Sequence, residues 1–251
     1  MIENAQVRSA VSQVEKYATA ANVFINKYNC LPGDCANATQ FWGAKAGCGS
    51  SDTTPQVATC NGNGNGTIEN DSGYFSGNSS GGNTMEGFYI FQHLANAGLI
   101  TGQYSGGGNY ATPCTSPRSG AWCQNWIPNV NVPADPFGAG FALFGLLGNN
   151  TGGSTWGPLI ADLFPAGEYG HSLVYFGLTT TGQWGSGNPG ISASNTASID
   201  RKMDDGYPWS GKVIASTNST CATGSGNGIY QTGISVNSNN GCAIAFKQLF
   251  K

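Results

Sequence analysis

Residues 2–28 read IENAQVRSAVSQVEKYATAANVFINKY, and they decide the fold class. Val7, Val11, Val14, Ala18, Ala21 and Ile25 recur in alternating steps of four and three. Ala10, Val14, Tyr17, Ala21, Phe24 and Tyr28 form a second stripe with the same steps. Each is one face of a helix, and together they exceed the single stripe of a surface helix. About 27 helical residues span ~40 Å, more than a small domain needs. Such a helix serves two partners, its own domain and something outside it. Val14, Ala18, Ala21 and Ile25 are expected to lie against the sheet, with Val7 and Val11 largely exposed. The pattern begins at full strength beside Met1 without an N-cap, so we expect the native helix to continue upstream. About 20–25 apolar residues and a short basic leader are expected there. The alternative is a long packing helix in a monomeric secreted protein.

The rest of the chain has different chemistry. Charged residues make up 9% of the 251, against ~25% in an ordinary soluble domain. Glycine is abundant, and Asn, Ser and Thr supply most of the polarity. A net charge of −3 argues against a nucleic-acid surface, which needs clustered Lys and Arg. The eight cysteines, Cys30, Cys35, Cys48, Cys60, Cys114, Cys123, Cys221 and Cys242, fall as four local pairs among turn residues. With no CxxC and no Cys/His cluster, disulfides in an oxidising compartment fit better than zinc. Sequence does not fix the connectivity. Proximity suggests 30–35, 48–60, 114–123 and 221–242, the first being least secure because short loops strain disulfide geometry.

Pro32 and Gly33 end the first helix, and a short helical turn is expected in Ala36–Trp42. Residues 44–83 read as a Gly/Asn/Ser loop. A second helix is expected over Met85–Ala97, capped by Thr84, ended by Gly98, with Phe88, Phe91, Leu94 and Ala95 on one side. Beyond residue 101 helix signals mostly stop. Phe141–Leu147, His171–Leu178, Gly211–Ala215, Gly228–Val236 and Cys242–Leu249 read as antiparallel strands, the first ambiguous with a short helix. Pro158–Phe164 looks helical. Helices first and strands afterwards predict an α+β fold: a long N-terminal helix on an antiparallel sheet, with large disulfide-tied loops. One domain over 1–251 is expected: helix 1–29, loop and second helix 30–100, and a β-rich region with insertions 101–251.

Lys27-Tyr28-Asn29-Cys30-Leu31-Pro32-Gly33-Asp34, Asn37-Ala38, Phe41-Trp42-Gly43, Gly62-Asn63-Gly64-Asn65-Gly66, His93-Leu94-Ala95-Asn96-Ala97-Gly98-Leu99-Ile100 and Ile199-Asp200-Arg201-Lys202-Met203-Asp204-Asp205-Gly206 occur in that order. Pro208 and Gly211-Lys212-Val213 follow. In these stretches the chain resembles the type IV pilin and type II secretion pseudopilin superfamily; residues 105–190 match least. The resemblance implies a ladle-like fold. Its apolar N-terminal half-helix, absent here, anchors the precursor in the inner membrane and later forms the filament core. It implies a structural subunit of a type IV pilus-like or pseudopilus filament in the bacterial periplasm or at the cell surface. Other pilin or pseudopilin subunits are the expected partners, through Ile2, Val7, Val11 and Val14. A minor pilin or tip adhesin binding through 105–190 is the alternative, and a stand-alone secreted enzyme is a third reading.

His93 and His171 have no nucleophile motif around them, and no catalytic residue is assigned. His93 reads as a hydrogen-bonded helix residue near the sheet. Calcium is the one cofactor suggested. Asn61, Asn63 and Asn65 take the 1, 3, 5 positions of a calcium loop, with Gly66 sixth and the Thr67 carbonyl seventh. Ser72 stands where a bidentate Glu belongs, so Glu69, Asp71 or a distant carboxylate must supply charge. The same residues read more readily as a Gly/Asn turn held by side-chain-to-backbone bonds. Asp204 and Asp205, with Asp200, form a second candidate, or a turn with Asp200 paired to Arg201 or Lys202. Trp42, Trp122, Trp126, Trp156, Trp184 and Trp209 suit sugar binding or cover β surfaces. Asn37, Asn78 and Asn218 begin glycan acceptor tripeptides.

Overall fold

Helix α1 runs Ile2–Tyr28 without a break. Asn29, at φ 54°, closes it by donating its amide to Ile25 O at 2.8 Å. The computed structural model describes residues 2–48, 54–68, 86–107, 109–110, 124–125, 127–138, 140–147, 164–165, 167–177, 191–234 and 241–250. Structural statements refer to these residues. Cys114, Cys123, Asn78, the stretch 158–163 and Trp122, Trp126, Trp156 and Trp184 lie outside them.

Further helices are α2 (Ala38–Trp42), α3 (Glu86–Asn96) and α4 (Ala193–Met203). The strands are β1 (Asn109–Tyr110), β2 (Gln124–Asn125), β3 (Gly140–Leu147), β4 (Gly170–Gly177), β5 (Val213–Ala215), β6 (Ala222–Thr223), β7 (Ile229–Tyr230) and β8 (Ile244–Phe246). An antiparallel sheet has the order β3-β4-β8-β5, and β1-β2 and β6-β7 are separate antiparallel ladders. The molecule is α+β, with an N-terminal helix, a small antiparallel sheet and three disulfides: Cys30–Cys35, Cys48–Cys60 and Cys221–Cys242. The described part of the expected strand Gly228–Val236 forms β7 and then a turn at 232–234; 235–236 lie outside the described residues.

Two elements differ from the sequence reading. Helix α4 lies inside the stretch expected to be β-rich. Ser192 caps it by accepting the Asn195 amide at 3.0 Å, and Arg201 and Lys202 sit in its last turn. Its buried positions are Ala193, Asn195, Thr196, Ala197, Ile199 and Asp200, small or polar residues apart from Ile199. Apolar periodicity therefore does not reveal it. Helix α3 is buried over nine consecutive residues, Glu86–Leu94, instead of along one face. It ends in paired bonds, Gly98 N to Ala95 O and Leu99 N to Leu94 O, with Gly98 left-handed at φ 72°.

Helix α1 packs beside α4 and α3, and α4 lies against β5. The sheet reaches α1 through Tyr175 of β4, whose hydroxyl donates to Gln13 Oε1 at 2.7 Å and lies 3.3 Å from Ala10 O. Every residue of β5 and β8 is buried, as are Leu173, Val174 and Tyr175, so the sheet is covered on both faces. A second cluster of Ala193, Ala197, Ala215, Tyr230 and the Cys221–Cys242 pair fills the space under α4.

Candidate functional site

The end of α4 gathers three carboxylates. Asp200 lies one turn before the C-cap Asp204, and Asp205 follows. One oxygen of each lies within 4.8 Å of the others, with Asp200 buried, Asp204 half-buried and Asp205 exposed. Asp200 accepts the Tyr230 hydroxyl at 2.7 Å and the Gly206 amide at 3.2 Å. Asp204 Oδ2 accepts the amides of Lys212 and, at 3.0 Å, Val213, joining α4 to β5. A Cβ at Gly211 would collide with that carboxylate, so glycine is required there. Asp205 accepts the Tyr207 amide at 2.9 Å and the Ser210 hydroxyl at 2.6 Å. Burial pushes the Asp200 carboxyl up to about 7, with smaller contributions from Asp205 and Asp204; the Tyr230 and Gly206 bonds oppose it. Hard oxygen donors of this kind suit calcium, with carbonyls and water completing its shell. Each carboxylate oxygen keeps acceptor capacity beyond the bonds named.

The Asn61–Thr67 loop is built around an anion. Asp34 is buried, and its carboxylate accepts Gly64 N at 2.6 Å, Asn65 N at 3.1 Å and Gly66 N at 2.8 Å. Glu86, at the start of α3, accepts Asn63 N at 2.9 Å. The oxygens that a calcium loop would aim at an ion face backbone amides instead. Asn61 Oδ1 accepts Thr39 N at 2.9 Å, Asn63 Oδ1 accepts Asn65 N at 2.9 Å, and Asn65 Oδ1 accepts Thr67 N at 2.8 Å. This geometry favours the turn over the ion. Glu69, Asp71 and Ser72 lie outside the described residues. Asp34 stands in the sequence as part of a helix-breaking turn, and nothing local marks its partners thirty residues on.

His93 holds the same region from the other side. Its Nδ1 accepts Gly33 N at 3.0 Å, so Nε2 carries the proton and donates toward Thr59 Oγ1 at 3.1 Å and Cys60 O at 3.3 Å. Thr59 in turn donates to Gln92 Oε1 at 2.7 Å. The imidazole is thus a donor to the hydroxyl, the reverse of a general base. Burial lowers its pKa to about 4, against the raising effect of the Cys60 bond. Its ring lies beside Phe24 of α1, Trp42 of α2 and the loops at 33 and 59–60, and its helix α3 also contacts β3. Burial also lowers His171, opposed by Asp34, and its ring stacks on Phe250 at 5.1 Å.

Helix α1 corrects one expectation directly. Val7 is 1% exposed, and Val11 is half-buried against the core. Buried residues run Val7, Ala10, Val14, Tyr17, Ala20, Ala21 and Phe24, essentially the second stripe. The chain covers α1 further up than foreseen, because α4 lies along it and Ala134 O accepts Gln13 Nε2 at 3.0 Å. Val11, Ala18 and Ile25 flank the buried stripe half-exposed, and the Ile2 side chain lies outside the described ones.

Trp42 is packed among Phe24, Tyr28, Phe41 and His93, with ring centroids 5.3–6.0 Å away. Trp209 packs over Gly228, where a Cβ would strike its indole. Asn218 Oδ1 is engaged by the amide and hydroxyl of Thr220, and Asn37 precedes α2. Among the described residues no helix is long and apolar enough to cross a membrane. Comparison with protein-family models, curated proteins and solved structures finds no match to this chain.

Proposed function

We propose that the chain is a structural subunit of a type IV pilus-like or type II secretion pseudopilus filament, acting by assembly through α1. The observation that carries this reading is the apolar side chains that α1 keeps outside its buried stripe. On one side of that stripe lie half-buried Val11, Ala18 and Ile25, and on the other Val23 at 42% exposure. A shallow groove runs between Lys16, Ala20, Val23 and Leu99. Apolar side chains left on either side of the buried stripe of a 27-residue helix suit neighbouring helices of the same kind. The partners would be other pilin or pseudopilin subunits, the site of assembly the bacterial periplasm or cell surface, and the inner-membrane anchor a segment upstream. Calcium bound by Asp200, Asp204 and Asp205 would fasten the end of α4 to β5 and β7. Val23→Glu is the test. The melting temperature of the isolated domain should hold, while filaments sheared from native cells lose this chain. Parent cells whose sheared filaments lack it, or a variant that assembles normally, would sink the proposal.

A further inference from the structure

The sequence contains five Asn-Gly pairs, beginning at Asn61, Asn63, Asn65, Asn227 and Asn240. Asn-Gly is the dipeptide most prone to spontaneous deamidation, because glycine leaves its own amide nitrogen open to attack. That nitrogen loses its proton to solvent base and bonds to the Asn Cγ. The Cγ–Nδ2 bond breaks, ammonia leaves, and the five-membered imide is opened by water to aspartate or isoaspartate. No oxidant or reductant is involved. Ionising the glycine amide controls the rate, so a hydrogen-bond acceptor on that amide slows the reaction, and an anionic acceptor slows it most.

The five glycine amides are held very differently. Gly64 N donates to Asp34 Oδ1 at 2.6 Å and also to Asp34 O at 3.0 Å; Gly66 N donates to Asp34 Oδ2 at 2.8 Å. Gly62 N donates to Cys35 O at 3.0 Å. Gly241 N donates to Thr220 Oγ1 at 3.1 Å, Asn240 itself lying outside the described residues. Gly228 N reaches only Ser225 O, at 3.4 Å, beyond the ordinary range for such a bond. Asn227 is exposed, in a turn of exposed residues 224–227.

We propose that, among the described Asn-Gly pairs, Asn227 is the first to deamidate, and that the Asp34 carboxylate shields Asn63 and Asn65 from the same reaction. Two exposed asparagines in ideal sequence context are thereby kept intact by one buried anion, and the unguarded turn beside β7 ages first. Isoaspartate at 227 adds one atom to the backbone where Asn227 O accepts Trp209 N at 3.1 Å and Gly228 lies under the indole. The change is therefore felt at Trp209.

The test is to hold the folded, oxidised chain at mildly alkaline pH and map peptides by mass over time, with isoaspartyl products separated. Asn227 should convert about tenfold or more ahead of Asn63 and Asn65, the scale of one charge-assisted hydrogen bond. Asp34→Asn should raise Asn63 and Asn65 by a similar factor while Asn61 and Asn227 keep their rates. If that variant unfolds, all described sites rise together, and the ranking within the parent decides alone. Conversion of Asn63 or Asn65 as fast as Asn227 in the folded parent overturns the proposal.

Discussion

His93 and Asp200 respond to acid in opposite directions. With a folded-state pKa of about 4 against an ordinary 6.5, His93 stays neutral where the unfolded chain takes up a proton. Its contribution to stability is complete above the ordinary value and is lost as pH falls toward about 4. Asp200, raised from 3.8 to about 7, keeps a proton that the unfolded chain has released. Its contribution is complete below the ordinary value and is lost as pH rises through about 7. In the window they share, the two slopes oppose. Denaturant titrations across that window should show stability falling with rising pH in His93→Gln relative to the parent. Asp200→Asn should show stability rising with pH relative to the parent; equal slopes in all three proteins would refute both assignments. Calcium adds a second reading of the carboxylates. Millimolar calcium should raise the melting temperature by mass action, most above neutrality where Asp200 is ionised. Asp204→Asn with Asp205→Asn should remove the rise, whereas Asn63→Ala with Asn65→Ala should leave it. The three aspartates were legible because one helical turn and a chain neighbour bring them together. Tyr230 and Asp34 were not, because their partners are thirty residues away.

Among the elements, α1 and α3 could be read from sequence because their apolar residues carry the helical period. Helix α4 could not, because its one large buried apolar residue is Ile199, and Ala193, Asn195, Thr196, Ala197 and Asp200 are too small or too polar to stand out from the turns around them. Its cover on α1 is also why Val7 is interior. The strands β3, β4, β5 and β8 were visible as short apolar runs between turn residues, but their order β3-β4-β8-β5 depends on pairings between distant segments. Phe24, fully buried between α1 and the aromatic group around Trp42, makes the packing measurable. Phe24→Ala should cost about 3–5 kcal/mol in chemical denaturation. The Cys221–Cys242 bridge closes a 21-residue separation and holds the approach to β8 against β6. Replacing both cysteines by alanine should cost about 2–5 kcal/mol, more than loss of Cys30–Cys35, whose loop is shorter. An equal or smaller loss would show that the sheet holds this end without the bridge.

For the whole molecule, thiol chemistry gives the simplest check. The described cysteines are all paired, so alkylation of the unreduced protein should label none of them. Labelling at Cys30, Cys35, Cys48, Cys60, Cys221 or Cys242 would contradict the architecture. The arrangement around Asp34 also has a mechanical meaning. At the C-terminal end of α1 the chain turns through the Cys30–Cys35 bridge, and the Gly64, Asn65 and Gly66 amides close on Asp34. His93 takes the Gly33 amide, and Glu86 takes that of Asn63. The last turn of α1 is thus tied to α3, a helix buried along most of its length, through Gly33, Asp34 and the loop at 61–66. Pulled from its two ends, the chain should gain no length from the residues inside each described bridge. A chain held by the end of its long helix would then be held also by α3 and by the loop that closes on Asp34.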